Sequence, residues 1–427
     1  MENLLFVLFL ALLLNSLLWW LGPLLPGERW QFLAAVPLRP VKSPEGINDH
    51  TPERGWEGVN LTFYGFIIAG AALFATALFM VLVAALALPV GLVLGLIALV
   101  LGGSVVASKL VARLVEGKED TFTVAGGATA GLYLLPLLLW LYNAAGGADA
   151  DAGADAGADA GAFLPGSKHL LAANWRVETM AEIPVMPVMA AIAVAFIIGE
   201  GLGRLACLSF GCCYGKPLIP PGVSPPAAPQ PPASPQPAAL PQPAAPESLH
   251  HGLGDCVQPK TGQGGIFTIP ACTFHGRLKK ISYAGGMEGV PVFPIQLLTA
   301  ALYVNVGLGA IFLYLQGHFA WSFALAGIFA MGWRVLSEQL RADYRGGGRF
   351  SAYQRVNLIN MVFVLALCLW LPSDETTTVS LLQGLAALWR VEVVLSLQLI
   401  WLLLFFYFGL SRVTGVRLHF YLHRDRI

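Results

Sequence analysis

Two clusters of polar residues sit where apolar sequence surrounds them, and their types suggest what they can bind. The first is Gly199-Glu200-Gly201-Leu202-Gly203-Arg204, running on through Cys207 to Gly211-Cys212-Cys213-Tyr214-Gly215-Lys216-Pro217. Five glycines permit close backbone approach and leave amides free to face a ligand. Arg204 presents a planar fork of donors suited to phosphate. No strand or βαβ pattern surrounds the Gly-x-Gly-x-Gly run, so it is not a dinucleotide fingerprint. The second cluster is Arg334, Glu338 and Arg341, followed by Asp343 and Arg345. Spacings of four and seven predict one shared helical face. An Arg-Glu-Arg triad there partly neutralises itself and keeps one positive charge for an anion. A weaker group is Thr62-Phe63-Tyr64-Gly65 with Pro294-Ile295-Gln296. Ionisable groups inside membrane spans cost about 2.5–3.5 kcal/mol each on insertion scales, so they usually mark function.

The elements that must position these residues are membrane spans. Of 427 residues, 56% are hydrophobic and 12% charged, with 25 basic against 25 acidic side chains. The charged share is half the roughly 25% usual in soluble proteins. That composition excludes a soluble enzyme, a disordered regulator and a disulfide-rich secreted domain, and the balanced charge gives nucleic acid no basic surface. A bilayer core of about 30 Å needs about 20 apolar residues per helix. Nine stretches qualify, at roughly 3–22, 64–87, 88–110, 123–144, 184–208, 294–316, 319–340, 354–372 and 389–411. The fold expected is therefore an all-α, polytopic membrane helix bundle. Met1-Glu2-Asn3 supplies no basic start for a signal peptide, and Trp19-Trp20 resembles an interfacial belt, so the first span reads as a retained anchor.

Residues 146–162 repeat Ala, Asp and Gly and are expected to form a disordered acidic loop, while 217–246, rich in Pro and Ala, should form an extended linker. Deletion of either should be tolerated. A small folded extramembrane piece is expected from about 247 to 292, with Cys256, Cys272 and His275. The cysteine spacings match no standard zinc pattern, so no metal is assigned. In an oxidising compartment a disulfide among Cys256, Cys272 and Cys207, Cys212 or Cys213 is expected instead. Cys368 reads as core.

In this order the motifs resemble the prolipoprotein diacylglyceryl transferase family. Gly203-Arg204-x-Ala206-Cys207-x-x-x-Gly211-Cys212-Cys213-Tyr214-Gly215-Lys216 is similar to its signature, Gly-Arg-x-Gly-Asn-Phe-x-Asn-Gly-Glu-x-x-Gly-Arg. Phe63-Tyr64-Gly65 resembles its first Tyr-Gly span, and Phe293-Pro294-Ile295-Gln296-Leu297 its His-Pro-x-Gln-Leu segment. Arg334-x-x-x-Glu338-x-x-Arg341 resembles its Arg-x-x-x-Glu-x-x-Arg helix, with Tyr353-Gln354 after it. Ala107-Ser108-Lys109-Leu110 and Gly126-Gly127 match more loosely. Several family positions differ: the signature Asn and Glu are Cys207 and Cys212, and two His positions are Ala125 and Phe293. These changes remove candidate proton acceptors, whereas Arg204, Arg334 and Arg341 remain.

The resemblance implies a seven-span core over 62–372, with inserts at 145–183 and 217–292. It leaves an anchor span and loop at 1–61 and an extra span and basic tail at 373–427. It implies transfer of an sn-1,2-diacylglyceryl group from phosphatidylglycerol to the lipobox cysteine of a prolipoprotein, in the bacterial cytoplasmic membrane, without a cofactor. Arg204 and Arg334 would stabilise the leaving phosphate, with Glu338 orienting them. Tyr64, Gly203, Gly211, Gly215, Gln296 and Arg341 would line the substrate site. Two other readings compete: a homologue that binds lipid with another acceptor or none, and a membrane transporter. The family's signature loop faces outward, yet the basic tail (Arg412, Arg417, His419, Arg424, Arg426) argues for a cytoplasmic C-terminus. That conflict predicts a terminal span that fails to cross, or a miscount near Pro89.

Overall fold

A computed structural model describes residues 2–42, 54–111, 113, 124–156, 183–218, 271–276, 278–342, 351–371, 378–410 and 419–421. Among these, nine helices are long and apolar enough to cross a membrane. They are α1 (Glu2–Leu24), α2 (Phe63–Ala84), α3 (Val90–Val111), α4 (Val124–Ala156), α5 (Val185–Phe210), α7 (Ile295–Leu315), α8 (Phe319–Ser337), α9 (Ala352–Trp370) and α11 (Val391–Gly409). Two short helices, α6 (Lys280–Tyr283) and α10 (Leu381–Ala387), lie outside the spans. The chain is a multi-pass membrane protein with an all-α bundle.

Contacts at the helix ends fix the threading. At one end, Ser209 Oγ donates to the Trp30 carbonyl, and Thr62 Oγ1 donates to the Gly409 carbonyl at 3.1 Å. This signature end therefore gathers the ends of α1, α5 and α11 with the start of α2. At the opposite end, Asn3 Nδ2 donates to the Leu315 carbonyl (3.0 Å), Asn143 exchanges two hydrogen bonds with Ile183, and the Ser380 amide donates to the Ala85 carbonyl. Among the described residues, nine long helices that alternate in direction satisfy all of these contacts. The spans near Pro89 are not miscounted, since Pro89 separates two full helices. The chain accordingly leaves α11 on the same end as the Gly-rich signature.

That end also carries the sheet. Strand β1 (Phe32–Lys42) pairs antiparallel with β2 (Arg54–Thr62), and β2 with β5 (His419–Tyr421). Strand β3 (Cys272–Thr273) pairs with β4 (Pro291–Val292), so the end of the expected extramembrane piece is folded. Its earlier part and the linker at 217–246, from residue 219 on, lie outside the described residues. The acidic repeat differs from expectation over 146–156, where α4 continues to Ala156 instead of ending in a loop, while 157–162 lie outside the described residues. Alanine is the strongest helix former, and each added residue extends a helix already nucleated in the apolar stretch.

Helix α5 is the hub, packed against α2, α7 and α8. Its glycines face two neighbours. A Cβ on Gly199 would lie 2.7 Å from the Ala75 Cβ of α2, and one on Gly201 would lie 3.0 Å from the Tyr303 Cβ of α7. Small residues let these backbones approach, as at other membrane helix interfaces. Exposed Leu4, Leu8, Leu12, Leu399 and Leu403 on α1 and α11 give those helices apolar outer faces suited to lipid.

Candidate functional site

Glu200 and Arg204 stand one turn apart on α5, so their side chains meet at i and i+4, and Arg204 donates to Glu200 Oε1. From α8, Arg334 donates to the same carboxylate through Nη2 (2.5 Å to Oε1) and Nε (3.3 Å to Oε2). Glu200 is 4% exposed against 16% for Arg204 and 13% for Arg334, so a nearly buried anion joins two partly buried cations. The triad carries one net positive charge. Arg204 Nε is buried without a hydrogen-bond partner, a donor held in place for a ligand.

Glu200 and Arg204 of this triad line the head of a cavity of about 440 Å³ whose remaining wall is nearly all apolar, and Arg334 stands behind Glu200. Tyr64, Glu200, Gly203, Arg204 and Cys207 line its polar end, and Phe79 and Ile97 lie deep within it. From Tyr64 to Phe79 along α2, at 1.5 Å per residue, the cavity runs for about 22 Å. Tyr64 is held by its ring contact with Phe210, at 5.6 Å between centroids. Thr62 caps the same helix by accepting from the Gly65 amide, and Gly65 meets Gly409 so closely that a Cβ would come within 2.1 Å of the Gly409 Cα. The Thr-Phe-Tyr-Gly motif thus fixes where α2 begins and where Tyr64 points.

A second, small pocket of about 10 Å³ adjoins Arg204 and is lined by Cys213, Gln296, Thr299, Ser337 and Arg341. Gln296, buried at the start of α7, donates from Nε2 to the Cys212 carbonyl at 2.9 Å, while its Oε1 lacks a partner. Backbone bonds stitch the signature loop to both flanks: the Lys216 amide donates to the Leu340 carbonyl, the Ala342 amide to the Tyr214 carbonyl, and the Phe293 amide to the Lys216 carbonyl. Gly215 pairs with Arg341 in an isolated bridge, and a Cβ there would lie 2.2 Å from the Phe293 carbonyl oxygen. Only glycine fits that crossing.

Two sequence expectations change. Arg334, Glu338 and Arg341 do not share one helical face. Helix α8 ends at Ser337, Glu338–Leu340 tightens into a 3-10 turn, and Arg341 is extended (φ −90°, ψ 152°). The charged run leaves the apolar span there, and pairing with the signature loop takes over. The carboxylate that bridges Arg204 and Arg334 is Glu200, while Glu338 accepts from Ser351 Oγ at 2.6 Å. Glu200 was legible as an i, i+4 partner of Arg204, but its tie to Arg334 depends on the packing of α5 against α8.

The end of α5 has a further consequence. Gly211 adopts the left-handed conformation (φ 72°, ψ 29°), and the amides of Gly211 and Cys212 both donate to the Cys207 carbonyl. Cys213 is left-handed as well, with φ 58°. The chain folds back on itself, and the sulfurs of Cys207, Cys212 and Cys213 all lie within 4.8 Å of one another. Hydrogen bonding with Cys207 and Cys213, reinforced by burial, pushes the Cys212 thiol well above its ordinary range. Among the described residues no disulfide joins Cys207, Cys212, Cys213, Cys272 or Cys368, so the one expected between Cys272 and a signature cysteine is not formed, and Cys256 lies outside the described residues.

Below the loop, Lys279 is fully buried and donates to the carbonyls of Leu25 (3.1 Å) and Ser209 (2.6 Å). It thereby ties the ends of α1 and α5. Burial pushes its ammonium from the ordinary 10.5 down to about 7.

No curated protein and no solved structure matches the chain. The family model for prolipoprotein diacylglyceryl transferase matches residues 160–370, which hold α5, α7, α8 and α9 together with the Glu200, Arg204, Arg334 and Arg341 positions. Over that region the chain is similar to the prolipoprotein diacylglyceryl transferase family.

Proposed function

We propose that the chain transfers an sn-1,2-diacylglyceryl group from phosphatidylglycerol to the lipobox cysteine thiol of a prolipoprotein, in the bacterial cytoplasmic membrane. The observation that carries this reading is the long apolar cavity headed by Arg204 and Glu200, with Arg334 held behind them on the same carboxylate so that the triad is net positive. Acyl chains fill the cavity, and the donor phosphate meets the arginines. Arg204 Nε, lacking an internal partner, donates to a phosphate oxygen.

The reaction displaces a phosphate from a glyceryl carbon. The acceptor sulfur forms the S–C bond, the C–O bond breaks, and its electron pair leaves on glycerol phosphate, while the thiol proton passes to water. Negative charge grows on the leaving oxygen, so fixed guanidinium donors act where charge develops. Arg204 and Arg334 take that role. Glu200 holds both guanidinium planes, the part first assigned to Glu338. Tyr64 donates to the lipid near the reacting carbon. Gly203, Gly211, Gly215, Gln296 and Arg341 shape the adjoining wall and the small pocket.

The test is complementation of a transferase-deficient bacterium, followed by transfer to a lipobox peptide from vesicles of phosphatidylglycerol. Wild type should support both. Arg204→Ala should lose transfer by about 10²-fold or more, the usual cost of one transition-state donor. Failure of transfer with phosphatidylglycerol binding intact would leave a lipid-binding homologue and remove the transferase reading.

A further inference from the structure

Cys207 and Cys212 occupy the family's Asn and Glu positions, and with Cys213 they bring three sulfurs together at the boundary between the lipid cavity and the small polar pocket. Cys207 lines the cavity and Cys213 the pocket. Spacing alone conceals this site. A Cys-x-x-x-x-Cys-Cys run on a continuous helix would scatter its side chains around the axis. The left-handed turns at Gly211 and Cys213 bring them back. Left-handed backbone at a cysteine is unfavourable, and such outliers cluster at functional sites.

We propose that Cys207, Cys212 and Cys213 hold one thiophilic divalent metal ion of the zinc class, with a fourth position open to an incoming thiol. The geometry requires little adjustment. Metal–sulfur bonds of about 2.3 Å place the sulfurs of a trigonal or tetrahedral centre about 3.8–4.0 Å apart. The present separations, all within 4.8 Å, close to that by rotamer shifts of about 1 Å or less. Soft thiolate ligands select zinc-like ions over magnesium or calcium. Three protein ligands with an open fourth position is the arrangement of reactive zinc centres, whereas closed structural centres use four.

The use of the open position rests on the proposed transfer reaction; metal binding itself does not. A thiol that coordinates the ion loses its proton to water and is held as thiolate beside the lipid's glyceryl carbon. Sulfur then forms the S–C bond, the C–O bond breaks, and its electron pair leaves on the phosphate. The ion thereby supplies the deprotonation of the acceptor thiol.

The experiment uses the full chain in detergent, reduced by a phosphine, with Co²⁺ as the probe. One Co²⁺ per chain should bind, with thiolate charge-transfer and tetrahedral ligand-field bands. A lipobox cysteine peptide should shift those bands, and its serine analogue should not. In the wild-type protein, bound Zn²⁺ should slow alkylation of Cys207, Cys212 and Cys213 at least tenfold and leave Cys368 unchanged. Cys213→Ala should abolish the bands and Cys368→Ser should keep them. Because the protection is read on wild type, a variant that misfolds does not decide the outcome. Absence of the bands, or equal alkylation with and without Zn²⁺, would overturn the site. Bands indifferent to the cysteine peptide, or transfer that persists in protein stripped of metal, would overturn the use of the open position while leaving the proposed function standing. Tight metal binding and the peptide shift without any transfer would support the site and remove the transferase reading.

Discussion

Replacing Glu200 by Gln tests the central arrangement, because the substitution keeps the shape and removes one charge. The triad would pass from one net positive charge to two. Both guanidinium groups reach the same carboxylate, so they lie roughly 5 Å apart, and at an effective dielectric of about 20 their repulsion is about 3 kcal/mol. Removing one partner of a buried ion pair costs about 3–5 kcal/mol in measured cases, which agrees. The variant should therefore unfold several degrees below wild type in detergent. An anion restores what the substitution takes away. A phosphate beside Arg204 is repelled by Glu200 in the wild type, and losing that term should tighten phosphatidylglycerol binding at least tenfold, about 1.4 kcal/mol. The assay is thermal unfolding by intrinsic fluorescence in mixed micelles, comparing phosphatidylglycerol with phosphatidylcholine. Phosphatidylglycerol should recover more of the variant's loss than phosphatidylcholine does, and should stabilise the variant by more than it stabilises wild type. Transfer should slow even as lipid binds more tightly, since the guanidinium planes lose the group that orients them. Equal rescue by the two lipids, or a variant as stable as wild type, would refute the reasoning: the phosphate would then sit elsewhere, or the triad would be solvated.

Other expectations follow from single contacts. Gly215→Ala should weaken both stability and transfer, because a Cβ at 2.2 Å from the Phe293 carbonyl forces apart the loop that pairs with Arg341; the check is a raised KM for lipid beside a lowered melting temperature. Lys279 should give a pH-dependent stability. Its folded pKa of about 7 lies below the unfolded 10.5, so between those values the unfolded chain binds more protons and stability rises with pH. Below pH 7 both states are protonated, and the cost of burying the charge is constant. The melting temperature of wild type minus that of Lys279→Met should therefore climb from pH 7 to pH 9.5, and a flat difference would refute the buried-ammonium reading. Thr62→Ala removes both the cap of α2 and the hydrogen bond to Gly409, and should cost about 1–2 kcal/mol in unfolding measurements.

The spans were legible because lipid leaves helices few alternatives: each of the nine apolar stretches became a helix, with ends shifted by a few residues except at α4, which runs on to Ala156. The triad was legible in part. Arg204 and Arg334 stand out as charges in apolar sequence, and the i, i+4 relation of Glu200 to Arg204 can be read directly from spacing. That Glu200 also reaches Arg334, 134 residues away, depends on the packing of α5 against α8, which no spacing in the sequence conveys. Glu338 held the right spacing to Arg334 and Arg341, but spacing predicts a shared face only while the helix lasts, and this one ends at Ser337. The cysteines make the converse point. Their spacing fits no zinc pattern because those patterns encode one particular set of turns, and here Gly211 and a left-handed Cys213 make a different one. What spacing cannot convey is the backbone between the ligands, and at both places it is the end of a helix, where three or four residues choose among several conformations, that decides which side chains meet. In this chain the two helix ends meet each other: the turn after α5 pairs with the turn after α8 through Gly215 and Arg341, so the thiols and the arginines are positioned by the same few residues. A change at either turn should therefore disturb metal binding and lipid binding together.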